Sequence, residues 1–181
     1  MNGDQGTMDH ATPESMFVAL KALQGIHQLQ GDTQVVLADI VAYVSGRGEK
    51  DILVEEAIRS GLRLRQLYKL LLQQQRVAFL PKEALAQDAA ELDSRIGAGF
   101  RILFRRSRAD LGQTYVIIEL DEHSELDSSS DYMLFAEDST DVVRLRFVAT
   151  SGGRSQIILP SDDKKLKTIK NPDIELSLVP L

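Results

Sequence analysis

RSGLRLRQLYKLLLQQQRVAFLP, residues Arg59 to Pro81, is the most strongly patterned stretch of the chain. Leu64, Leu67, Tyr68 and Leu71 recur at i, i+3, i+4 and i+7 and so share one face of a helix, while Arg63, Gln66, Lys69, Gln73 and Arg76 follow the other. From Ala57 to Lys82 there are six Lys or Arg residues and no Asp or Glu, in a chain of net charge −6. The stretch predicts an amphipathic helix with a broad apolar side and a cationic one. If the rest of the chain supplies a sheet, that apolar side is its natural cover.

Working outward towards the N-terminus, the pattern stays helical. Glu49 to Ser60 carries Ile52, Leu53, Val54, Ala57 and Ile58, and Ser60-Gly61 predicts a break before the basic helix, because glycine is unfavourable inside one. Asp32 or Thr33 is placed to cap a helix whose stripe is Val36, Leu37, Ile40, Val41 and Val44, ending at Ser45-Gly46-Arg47-Gly48. Before it, Thr12-Pro13-Glu14 starts a helix through Phe17, Leu20 and His27. Residues 1–12 read as a disordered tail.

Towards the C-terminus, Lys82 to Ile96 reads as a short helix through Leu85, Ala89 and Leu92. From Phe100 the apolar period falls towards two, which predicts strands. They are expected around Phe100–Phe104, Tyr115–Leu120, Tyr132–Ala136, Val143–Ala149, Gln156–Leu159 and Ile174–Val179, with Thr150 to Arg154 turning the fourth into the fifth as a hairpin. Ser161 to Lys165 reads as a solvated loop or one helical turn. The expected class is α+β: a helical half over 13–96 with four to five short helices, then a mainly antiparallel β-rich half over 99–181 with five or six strands.

Composition narrows function by exclusion. The 181 residues are 43% hydrophobic and 27% charged, ordinary for a globular protein, and no apolar run approaches the ~18 residues of a spanning helix. A cytoplasmic protein with no membrane partner is expected. The absence of cysteine removes disulfides, thiolate metal sites and cysteine nucleophiles. His10, His27 and His123 lie far apart, in a presumed tail, a helix and an acidic loop, so no metal is expected. Asp121 to Asp131 is rich in carboxylates but departs from the EF-hand pattern. Gly97-Ala98-Gly99 lacks the third glycine of a dinucleotide fingerprint, and Ser151-Gly152-Gly153-Arg154 reads as a turn before an anion nest. No cofactor is expected and no catalytic residue can be assigned.

Charge is the remaining signal. Ala109 to Val143 holds ten acidic residues and no Lys or Arg, directly after the dense group Arg95, Arg101, Arg105, Arg106 and Arg108. Internal compensation, self-association and partner binding all fit such a layout. The leading expectation is a non-enzymatic interaction or regulatory protein, adaptor-like and homodimeric or bound to a protein partner. It would dock through the basic helix, with Arg59, Arg63, Arg65, Lys69 and Arg76 as contact residues. The alternative is a nucleic-acid-binding regulator in which the same cations meet phosphates and the β-rich half acts as sensor. An enzyme whose site is assembled from distant residues is the third class.

Overall fold

A computed structural model describes residues 35–48, 51–82, 93–137, 142–149 and 152–181. Among them are helices α1 (Leu37–Val44), α2 (Asp51–Ser60), α3 (Leu62–Gln75) and α4 (Lys164–Lys170). The strands are β1 (Ala78–Leu80), β2 (Ser94–Ile96), β3 (Phe100–Arg106), β4 (Gln113–Leu120), β5 (Tyr132–Glu137), β6 (Val142–Phe147), β7 (Arg154–Pro160) and β8 (Leu176–Pro180). They form two antiparallel four-stranded sheets, ordered β1-β8-β5-β6 and β2-β3-β4-β7.

The two sheets face each other. Ile102, Phe104, Val116 and Ile118 from one meet Leu134, Leu145, Leu176 and Leu178 from the other in a shared core. The period-two alternation of β5 then places Met133 and Phe135 on the opposite face, where they join Val179 and a second core with Tyr43, Ile58, Tyr68 and Leu72 from the helices. The order of layers is therefore helices, sheet, sheet, and the helical and β-rich parts share a core.

The α+β class stands, with corrections. The described β-rich part begins at Ala78, and α4 lies between β7 and β8, so the helices are not one N-terminal block. The strands among the described residues number eight, not five or six. Ser94–Ile96, read as the end of a helix, is a strand paired with Leu103, Ile102 and Arg101; three residues are too few to show a period. The expected hairpin at Thr150 to Arg154 is not one. Its first strand pairs with β5 and its second with β4, so the connection crosses from sheet to sheet. Alternation shows only that one face of each strand is buried, which two facing sheets satisfy as well as one. The helix from Thr12, the cap at Asp32 or Thr33, and most of the segment from Lys82 to Ile96 lie outside the described residues.

Local chemistry sets the helix ends. Helix α1 closes in a Schellman turn, with Gly46 N–H on the Tyr43 carbonyl at 3.1 Å and Arg47 N–H on that of Ala42 at 2.8 Å. Gly46 has φ +70°, and a Cβ there would run into the Leu181 side chain. Helix α2 stops before Gly61, as expected, and Arg65 of the next helix reaches back to its orphan carbonyls, donating from Nε to Ile58 at 3.2 Å. Helix α3 forms within the opening stretch, burying Tyr68 and Leu72 with Leu64, Leu67 and Leu71 packed beside them. Helix α4 starts on Asp163, whose Oδ1 accepts from Lys165 N–H at 2.7 Å, and spans the sheets with Leu166 and Ile169 buried. Among the described residues no helix is long and apolar enough to cross a membrane.

Candidate functional site

The expected basic face is largely answered within the chain. Lys69 Nζ lies 3.4 Å from Glu137 Oε1, and Arg59 lies 3.8 Å from Glu55. Arg76 pairs with Glu175, and its guanidinium stands 4.2 Å above the Phe79 ring. Arg65 is the cap already described. Arg63, which is exposed, has no ion-pair or hydrogen-bond partner among the described residues. Leu64, Leu67 and Leu71, on the apolar side of α3, pack partly buried against the second core.

The exposed apolar residues of the helical layer lie elsewhere. On α2, Val54, Ala57 and Ile58 are buried, and Ile52, 79% exposed, projects from the opposite side. Leu53 and Leu62 are also exposed, with Glu56, Arg59 and Arg63 around them. At helical spacing, Ile52, Leu53, Glu56 and Arg59 fall on the outer half of α2. Of the five apolar positions read in this segment, Val54, Ala57 and Ile58 form the inner face and Ile52 and Leu53 do not.

Beneath that layer Tyr43, Tyr68 and Phe135 form an aromatic cluster with ring centroids 6.0–6.4 Å apart. Arg144 of β6 sits 4.6 Å over the Tyr43 ring, donates to the Tyr43 carbonyl at 3.2 Å and pairs with Asp51. The Tyr43 hydroxyl donates to Glu55 at 3.1 Å, whereas the buried Tyr68 hydroxyl has no partner among the described residues. Burial first, and then the nearby Glu55 carboxylate, push the Tyr43 phenol far above its ordinary range. Tyr68 is raised as well, mainly by burial.

The acidic segment is a turn network. Asp127 accepts from Ser129 N–H at 2.8 Å and from the Ser129 and Ser130 hydroxyls, and these bonds hold its carboxyl below the usual range. Asp131 is lowered by Ala149 N–H, at 2.7 Å, and by Arg146. Among the described residues no group of three or more His, Asp or Glu side chains is placed to hold a metal ion. His123 is exposed in this segment; His10 and His27 lie outside the described residues.

Two clefts open at opposite ends of the β3–β4 pair. The first, of about 580 Å³, lies by Phe100, Glu119, Asp121 and His123. Glu119 is held between Arg101 at 2.5 Å and Arg154 at 3.4 Å, which uses the arginine of the candidate anion nest. The second, of about 490 Å³, lies between α4 and the far end of β3 and β4. Arg106, Lys167 and Lys170 enter it, with Phe104 and Leu166 as apolar wall and Thr114 and Ser161 joined through their hydroxyls at 2.9 Å. Reading Ser161 to Lys165 as a solvated loop or one helical turn, with no helix continuing to Lys170, hid this cleft. The available signal was Lys167 and Lys170 flanking Leu166 and Ile169 at helical spacing behind the Asp163 cap.

No family model, curated protein or solved structure matches the chain.

Proposed function

We propose that the chain is a non-enzymatic interaction module of the regulatory or adaptor kind, whose first partner is a second copy of itself, docked through the outer face of the α2–α3 hairpin. The observation that carries this is Ile52, 79% exposed on the side of α2 away from its core residues, with Leu53 and Leu62 also exposed. Single exposed apolar side chains are ordinary, but several on one hairpin with charged neighbours make a docking face. The charges favour a self-complementary contact. Two α2 helices crossing antiparallel on their outer faces, about a two-fold axis at the level of Glu56 and Arg59, bring Glu56 of each towards Arg59 of the other. Two members of the expected contact set, Arg59 and Arg63, thus belong to this face; Arg65, Lys69 and Arg76 serve the fold. A nucleic-acid partner would draw on the same cations, and no observation favours it. The cytoplasm, as read from composition, belongs to the same proposal.

Sedimentation velocity from micromolar to millimolar protein tests it. The expected result is a monomer–dimer equilibrium that Ile52→Glu abolishes while the thermal midpoint stays put, since Ile52 contributes little to the core. A parent chain that stays monomeric throughout, or a dimer indifferent to Ile52→Glu, overturns it.

A further inference from the structure

We propose that the cleft between α4 and the β3–β4 end is a binding site for a small phosphorylated molecule with an apolar body, of about mononucleotide size. It is independent of the dimer proposal and uses none of the same residues.

Three cations converge on the cleft from two elements, Arg106 from β3 and Lys167 and Lys170 from α4. Arg106 is fixed in place by donating from Nε to the Leu111 carbonyl at 2.9 Å. No carboxylate lies within ion-pair distance of Arg106 or Lys167 among the described residues, in contrast to Lys69 and Arg76. Lys170 stands 5.6 Å from the centre of the Phe104 ring. Asp93, the one acid on the cleft among the described residues, is 80% exposed and lies 3.8 Å from Arg105. Among the described residues the lining therefore carries more positive than negative charge, in a chain that is acidic overall, and it suits a dianion better than a single carboxylate.

The polar and apolar parts are also segregated. Thr114 Oγ1 and Ser161 Oγ share one hydrogen bond, which leaves acceptor and donor capacity for a phosphate or a sugar hydroxyl. Phe104 and Leu166, each 3% exposed, give the wall an apolar floor. A cleft of about 490 Å³ falls within the size range of small-molecule sites, and an arginine fork beside lysines is the usual means of phosphate recognition.

The test is titration of the full chain, followed by amide NMR, with adenosine monophosphate and inorganic phosphate. Both probes carry similar charge and differ in the apolar body. Adenosine monophosphate is expected to bind saturably, to shift amides of residues 104–106, 114 and 166–170, and to bind more tightly than inorganic phosphate. Lys167→Gln and Arg106→Gln should each weaken binding about tenfold, whereas Lys165→Gln, the same charge change on an exposed position of the same helix outside the cleft, should weaken it less than about twofold. Absence of saturable binding overturns the proposal. So does equal weakening by Lys165→Gln, which means diffuse attraction, or equal affinity for the two probes, which removes the apolar body.

Discussion

Replacing Arg95 by methionine tests how the two sheets and α4 are held together. Arg95 of β2 is 1% exposed, and its side chain enters the space between the sheets. Nη1 donates to the carbonyls of Ile169 and Asn171, both at 3.1 Å, and Nη2 to those of Ile174 at 2.8 Å and Pro81 at 3.4 Å. One guanidinium thus ties the end of α4, the turn into β8 and the segment after β1 to the opposite sheet. Methionine fills the space of the stem and deletes the donors. The Asn171 carbonyl keeps the Ile174 amide at 3.2 Å, and the Pro81 bond is long, so the loss falls mainly on Ile169 and Ile174. Buried acceptors without donors cost about 1–3 kcal/mol each, partly offset because no cation has to be desolvated, for a net loss of about 3 kcal/mol. With a urea m-value of about 2 kcal/mol/M, the unfolding midpoint should fall by roughly 1.5 M. Arg95→Lys keeps the charge but not the fork, and should also lower the midpoint. An unchanged or raised midpoint for Arg95→Met would refute the reasoning, because desolvation of the guanidinium would then cancel everything its bonds contribute.

Two further outcomes follow from buried and surface polar groups. Tyr68→Phe should leave stability unchanged or raise it by up to about 1 kcal/mol, because the hydroxyl it removes has no partner among the described residues; Tyr43→Phe should lower it by about 1 kcal/mol through loss of the bond to Glu55, and urea midpoints that reverse this order contradict the packing described. The Asp131 carboxyl is lowered from its ordinary value of 3.8, so its contribution is present above that pH and is lost as pH falls through the lower folded value; Asp131→Asn should therefore be less stable at neutral pH and converge on the parent in acid, and a gap that stays constant to the lowest pH speaks against it.

The periodicity of Arg59 to Pro81 carried the inner helical layer correctly because Tyr68 and Leu72 have to be buried whatever they meet. It could not say that the cations would be answered by Glu137 and Glu175, which lie far along the chain. Strands of five or more residues were legible, since each carries apolar residues on at least one buried face. The three-residue strands β1 and β2 were not, and neither was the partner of any strand, because alternation is the same in a hairpin and in a crossover between sheets. Arg95 stood out only as one of several arginines. Its role depends on carbonyls brought together from three segments, and backbone oxygens leave no mark in a sequence. The phosphate cleft was hidden for the same reason: Arg106, Thr114, Ser161 and Lys167 meet only after the sheets close.

The absence of native cysteine makes one measurement of the docking face unusually clean. A single spin label at Ser60→Cys, an exposed position at the end of α2, reports the distance between two copies by pulsed dipolar EPR. Helices packed at interaxial distances of about 8–10 Å, crossing on their outer faces at the level of Glu56 and Arg59, should bring the labels within roughly 25 Å of each other, and Ile52→Glu should remove the signal. A dimer whose labels lie much farther apart, or no dipolar signal at concentrations where the mass is that of a dimer, contradicts the α2–α3 face as the site of self-association.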